Sequence, residues 1–514
     1  MMVTSIQKVN RLARSLMKVM PLLKGGWIMG WLFLPIGGAL LVLTATHRGA
    51  FLGDDSYYYI KPARDALAGQ GLHVSSYFAP FIPLLLTGIG WFGIDPVDAI
   101  HYLNVFLFGL SVLLAILTAT EMGVQNGFAL FAGALFVFSD TLIENYSWAM
   151  SEGLAFTLLL ATFYLLFSYY RRPSTGKWVG AAAVAALACL TRYAAVSIVP
   201  VLFFALLFFE PSRRFVIRLR EAFFAVLIGA TPLTLYLLRN IAVSGRPTRY
   251  SGYIASPLTH DQIVWYLYSV LSWFIPGRFI RGREILAGFV ALTALLVMGL
   301  VIWRVYRHTS TITKEKMISP AFLTLVAYGL STFSMLVIAR GFEGLGAFDL
   351  RYLSPILITL LLLIPYGLDR IWALGAFLPR FRFMVAGFAF LFLIYYGYRT
   401  VDFVGKMYRI GLGYTNIGWY NSEIVPYLKS HPDLQLVSTG EIGIYFWTGM
   451  KPAPINAFGG VDSLHKHLCD TGAVLILMDQ MPTDIYGMDH QQVVQGLELV
   501  KRFNDSSMYR CAAK

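Results

Sequence analysis

Apolar runs dominate the chain, and their lengths set the first expectation. A bilayer core takes ~20 apolar residues per helix. Runs of that kind, flanked by Lys and Arg, fall at about 27–46, 98–120, 126–143, 152–169, 221–238, 284–303, 319–339, 352–368 and 382–398. The stretch "KWVGAAAVAALACLTRYAAVSIVPVLFFALLFF" is too long for one span, and Arg192 interrupts it. An arginine between apolar stretches is costly there, so the pattern predicts an up-and-down pair turning at Thr191-Arg192-Tyr193. This gives about eleven transmembrane helices. The run 79–94 is short and broken by proline, which marks it as re-entrant or interfacial.

Between the first two spans the pattern changes. In "GDDSYYYIKPARDALAGQGL", Tyr59, Ala63, Ala66 and Leu67 share one helical face while Lys61 and Arg64 face away. That predicts a short amphipathic juxtamembrane helix, with Pro62 as a kink or a late start. Beyond residue 400 the period shifts again. "LQLVS" and "AVLILMD" read as buried strands and "HQQVVQGLELVKRF" as an amphipathic helix. The expected organisation is therefore a transmembrane domain over 1–400, with a first outer loop at 47–97, followed by a small α/β domain at 401–514.

Composition agrees with this reading. Of 514 residues 57% are hydrophobic and 13% charged, and mean hydropathy is +0.63, too apolar for a soluble domain. The net charge of +13 sits largely beside apolar runs, so headgroups and membrane orientation account for it rather than nucleic acid. The loops "RRPSTGK", "EPSRRFVIRLR", "WRVYRHTSTITKEK" and "LDRIWALGAFLPRFR" are basic and read as cytoplasmic. The basic N-terminal segment then precedes an uncleaved first span, in a multi-pass protein of the plasma (inner) membrane. Asp54, Asp55, Glu152, Arg192, Arg239, Asn240, Arg340, Asp349 and Arg351 all fall on the outer side. One conflict stands: the outer loop with Arg246, Arg249, Arg278, Arg281 and Arg283 is basic too. Cys189 lies in an apolar run, and whether Cys469 and Cys511 pair is left open.

The chemistry gathers on that outer side. Asp54 and Asp55 admit two readings, a helix N-terminal cap or a general base near lipid. Glu152 opens a span. Arg192, Arg239 with Asn240, and Arg351 suit contact with an anionic group. No glycine-rich phosphate loop, nucleophile elbow or HExxH helix is present, which argues against nucleotide-dependent chemistry.

These residues resemble the GT-C superfamily of integral-membrane glycosyltransferases, in particular the protein-mannosyltransferase and aminoarabinose-transferase-like group (glycosyltransferase family 39 and relatives). The resemblance rests on "DDSYYYIKPARDALAGQGL", "PFIPLLL", "IDPVDAIHYLNVFLFGLSVLLAI", "SEGLAFTLLL", "ALACLTRYAAVSIVP", "LRNIAVSGRPTRY", "RYLSPIL" and "VSTGEIGIYFWTGMKPAPI", in that order. It implies an inverting transfer of a sugar from a polyprenyl-phosphate donor to a glycan, lipid or protein acceptor outside. Asp54 would be the catalytic base with Asp55 beside it. Glu152, Arg192, Tyr193, Arg239, Asn240 and Arg351 would be candidates for holding the donor. Metal dependence varies among such enzymes, so a divalent metal is possible, but no ligand set beyond the acidic residues stands out. The rival readings are a transporter or flippase for lipid-linked sugars and a non-catalytic binder of them.

Overall fold

The structure, a computed structural model, describes residues 27–209, 213–248, 259–290, 293, 319–343, 350–374, 379–481, 483 and 487–512. Two compact units emerge: residues 1–45 with 58–404, and residues 46–57 with 405–514.

The first unit is helical. Its elements are α1 (Trp27–Ala45), α2 (Asp54–Leu67), α3 (Phe81–Gly90), α4 (Pro96–Glu121), α5 (Asn126–Val137), α6 (Asp140–Ser147), α7 (Glu152–Arg171), α8 (Thr175–Thr191), α9 (Ile198–Phe208), α10 (Phe215–Ser244), α11 (His260–Ser272), α12 (Pro320–Glu343), α13 (Leu350–Leu374) and α14 (Pro379–Ile410). Helix α2 starts in the second unit and α14 ends in it. Among the described residues six helices are long and apolar enough to cross a membrane, or seven if α5 and α6 form one span bent by 55°. Most of the run expected at 284–303 lies outside the described residues. Helix α3 has 10 residues and reaches only about 15 Å, half a bilayer core.

Burial separates centre from rim. The apolar windows of α4 and α7 are 61% and 67% buried, while those of α10 and α14 are 28% and 22% buried and present long apolar faces outward. Without water to drive it, such packing depends on close contact and on satisfied polar groups. Ser111, Tyr146 and Thr157 supply this between α4, α6 and α7, with hydroxyl oxygens 2.6–3.1 Å apart. Helix α4 starts where expected because Asp95 accepts from Val97 N (2.9 Å) and Pro96 follows at the first helical position. The same Asp95 receives a two-pronged bond from Arg64 (2.9 and 3.0 Å), which ties α2 to this corner.

The second unit is an α/β domain. Its sheet runs in the order β2 (Ala453–Pro454), β1 (Leu436–Ser438), β3 (Val474–Met478), β5 (Ser506–Cys511), β4 (Leu497–Arg502). The first three strands are parallel and the last two pairings antiparallel. Helices α15 (Glu441–Thr448) and α16 (Val461–Thr471) follow β1 and β2 in the chain. Val437, Ile455, Leu464, Leu468, Leu475 and Val493 form its core. Cys469 and Cys511 form a disulfide that joins α16 to β5. Residues 46–57 join the unit through Tyr414 N donating to Leu52 O (2.7 Å) and Thr415 Oγ1 donating to Ala50 O (3.0 Å).

Two expectations need correction. "HQQVVQGLELVKRF" is not one helix: it folds as a short helix, His490–Val494, a turn and β4. Gly496 has φ +78°, which breaks the helix, and "LELVKR" pairs with β5 instead. The span expected at 382–398 also ends too early. Helix α14 continues to Ile410 because the stretch after 399 has no proline and its Gly405 keeps a helical backbone, whereas Gly411 has φ +66°.

Candidate active site

The membrane unit brings Glu152, Arg192 and Arg351 together. Glu152 opens α7 and is 2% exposed. A carboxylate so buried must be paired. Arg192 Nη1 lies 2.5 Å from Glu152 Oε1, and Arg351 Nη1 lies 3.9 Å from it. Arg192 can reach because its backbone is extended (φ −152°, ψ 126°) at the break between α8 and the 3-10 turn Tyr193–Ser197. Its guanidinium also donates to Ser151 Oγ (3.4 Å) and lies 5.1 Å over the Tyr352 ring. Tyr59 of α2 donates to the same Ser151 hydroxyl (3.1 Å). Below Arg192 an apolar seam lined by Phe156, Leu159, Ile198, Tyr328 and Leu336 leaves a void of about 20 Å³, room for one water at most. Asp349 lies outside the described residues.

Tyr193, Arg239 and Asn240 form a different cluster. Tyr193 OH donates to the carbonyls of Ser76 (2.9 Å) and Phe78 (3.0 Å), and Tyr236 OH donates to Phe78 O (3.3 Å). Asn240, fully buried, donates to Tyr193 OH (3.4 Å) and Pro247 O (3.0 Å), and accepts from Arg239 (3.1 Å). These side chains pin the segment 76–78 to the ends of α8 and α10. Tyr58 stacks on Phe78 at 4.9 Å and Tyr59 meets its edge at 5.1 Å.

The acidic pair belongs to the other unit. Asp54 and Asp55 occupy the first turn of α2, where the helix dipole favours them. Asp54 is exposed, and Tyr414 OH donates to its Oδ1 at 2.5 Å, the short range of a charge-assisted bond. Tyr414 is itself 5% exposed and packs on Trp419 and Phe446. Glu441, at the first turn of α15, adds a second carboxylate. Burial pushes its pKa above the ordinary 4.5, its own backbone N–H opposes this, and the charge of Asp54 pushes it further up. Tyr57 packs edge-on against Tyr445 of the same helix at 5.0 Å. Tyr414 and Glu441 were not singled out from sequence. The available signal for Glu441 was a carboxylate at a strand-to-helix turn, "VSTGE", the position beyond the carboxyl end of a parallel strand where ligands gather in α/β folds. Among the described residues no three His, Cys, Asp or Glu side chains form a metal-holding group. The Asp54–Glu441 neighbourhood offers two carboxylates, short of a full ligand set.

A helical unit with an α/β unit that takes back residues 46–57 is a fold this chain shares with solved membrane glycosyltransferases. The chain is similar to ArnT from Cupriavidus metallidurans, at 16% identity over 94% of this chain and 98% of that one, with a TM-score of 0.54. The same enzyme bound to undecaprenyl phosphate aligns with a TM-score of 0.55 at 14% identity, again over 94% and 98%. The Archaeoglobus fulgidus oligosaccharyltransferase tethered to an acceptor peptide aligns at 13% identity over 88% of this chain and 69% of that one, with a TM-score of 0.51. No protein-family model matches the chain, and no curated protein matches it in sequence.

Proposed function

We propose that this protein transfers a sugar from a polyprenyl-phosphate-linked donor to an acceptor hydroxyl on the outer side of the inner membrane, with inversion at the anomeric carbon. The observation that carries the reading is Asp54: an exposed carboxylate at a helix start, held by the hydroxyl of a buried tyrosine. Such a group suits a general base. Asp54 takes the proton of the acceptor hydroxyl as its oxygen attacks the anomeric carbon. The bond from that carbon to the phosphate oxygen breaks, and the polyprenyl phosphate leaves with the bonding electrons. Asp55 keeps the local field negative beside the base. Arg192 and Arg351, fixed by Glu152, offset the charge that grows on the leaving phosphate. Tyr193 acts on the donor through the 76–78 segment it holds, and Arg239 and Asn240 act by bracing Tyr193. Support for a lipid-phosphate donor comes from similar structures: ArnT carries undecaprenyl phosphate, and the Archaeoglobus oligosaccharyltransferase carries dolichol-phosphate.

The test is a panel of radiolabelled polyprenyl-phosphate hexoses, pentoses and aminopentoses supplied to membranes holding the protein. Label reaching an acceptor supports the reading. Donor that crosses sealed vesicles with its sugar still attached would replace transferase with transporter.

A further inference from the structure

A groove of about 870 Å³ lies between α1, α5, α13 and α14, lined by residues separate from the three clusters above. Its walls are apolar, among them Leu34, Phe131, Ala134, Ala386, Ala389 and Leu393. Small residues on α5 and α14 open the space. The groove is open along its side, and its polar lining is confined to one end. Empty space on that scale would forfeit the dispersion contacts of its lining. In a bilayer the material at hand to fill it is hydrocarbon.

One end of the groove is different. Gln125 and Asn126 stand there at the start of α5, with Trp372 near the end of α13. Arg382, near the start of α14, is exposed and lies 5.6 Å over the Trp372 ring. The neighbouring Arg370 is already engaged: it lies 3.4 Å from buried Asp369, whose other oxygen accepts from Gln125 N (3.3 Å). No carboxylate pairs with Arg382 among the described residues. The groove therefore runs from an apolar trough to a cationic, aromatic mouth at the start of α5, the end of α13 and the start of α14, the arrangement that selects an anionic headgroup at a membrane surface.

We propose that this groove holds an acyl chain of an anionic diacyl phospholipid from the surrounding leaflet, with its headgroup at Arg382. The site depends on the protein spanning the membrane and is independent of the transferase reading.

The full-length protein, stripped of lipid in detergent, is titrated with phosphatidylglycerol or phosphatidylcholine of identical chains, and bound lipid is counted by native mass spectrometry. The expected result is preference for phosphatidylglycerol by about five-fold, the weight of one arginine at a membrane surface. Arg382→Gln brings the two lipids level, whereas Arg246→Gln, an exposed arginine elsewhere, leaves the preference intact. Ala389→Trp fills the trough and removes the preferred lipid. Should that variant not fold, the smaller Ala386→Leu weakens binding in the same direction. Equal binding of both lipids to the wild type, or a preference that survives Arg382→Gln, would overturn the proposal.

Discussion

Replacing Tyr414 by Phe tests how the acidic site is held. The change removes one hydroxyl, which donates to Asp54 Oδ1 at 2.5 Å. The ring itself is 5% exposed, and its contacts with Trp419 and Phe446 need no oxygen, so packing survives. A hydrogen bond to a charged group is worth about 1.5–3 kcal/mol. If that bond fixes the base toward the acceptor, the loss appears in the barrier, and about 1.4 kcal/mol corresponds to ten-fold in rate. Transfer from a polyprenyl-phosphate sugar should slow by roughly 10- to 100-fold in kcat, with the donor KM within two-fold of wild type. Both are read from initial rates in proteoliposomes, beside a thermal unfolding curve that should move little. Wild-type kcat in Tyr414→Phe, or a change confined to KM, would refute a positioning role and leave Tyr414 as a packing residue.

Other variants probe separate links. Glu152→Gln leaves Arg192 buried without its carboxylate and should cost ~3–5 kcal/mol, read from unfolding in detergent, while Glu152→Gln with Arg192→Met should recover most of it. Glu441 holds its proton more tightly folded than unfolded. Its contribution is therefore present below pH 4.5 and lost as pH rises through the raised folded value. Glu441→Gln should consequently raise the unfolding temperature of the α/β unit at neutral pH and make no difference below pH 4.5. Gly443→Ala would place a Cβ 2.2 Å from the Trp419 ring and 2.8 Å from Tyr414. Overpacking there costs ~1–3 kcal/mol, outweighs the usual gain of ~0.5–1 kcal/mol from replacing a helical glycine, and lowers transfer by displacing Tyr414. Reduction of Cys469–Cys511, 42 residues apart, should weaken the α/β unit by about 4 kcal/mol on chain entropy, visible as faster proteolysis.

The membrane helices were legible because each had to bury ~20 apolar residues, a signal that little else imitates. The break at Thr191-Arg192-Tyr193 was legible for the same reason, since a charge in an apolar run must be turned to use. Pairings were less so. That Arg192 pairs with Glu152, 40 residues earlier, carries no mark in the sequence. The side chains of Tyr193 and Tyr236 hold backbone carbonyls of a loop more than 100 residues away. Such contacts are fixed by which helices pack together, and period and composition do not encode that. The helix expected over "HQQVVQGLELVKRF" failed because amphipathic helix and edge strand share alternating polar positions over short windows. Pairing with β5 decides between them. Tyr414 escaped notice because one more tyrosine among 29 carries no local mark. Its role follows from residues 46–57 joining a unit that the chain completes over 350 positions later.

The central claim is that Asp54 is the base of a sugar transfer, and Asp54→Asn tests it most directly. The substitution keeps the shape of the side chain and removes its ability to take a proton. With the variant expressed and folded as wild type, sugar transfer from the donor the wild type uses should fall by at least 100-fold, in line with the ~10²–10⁴-fold contribution of a positioned base, while donor binding is retained. Transfer at the wild-type rate would contradict the account and leave Asp54 as the start of a helix and nothing more.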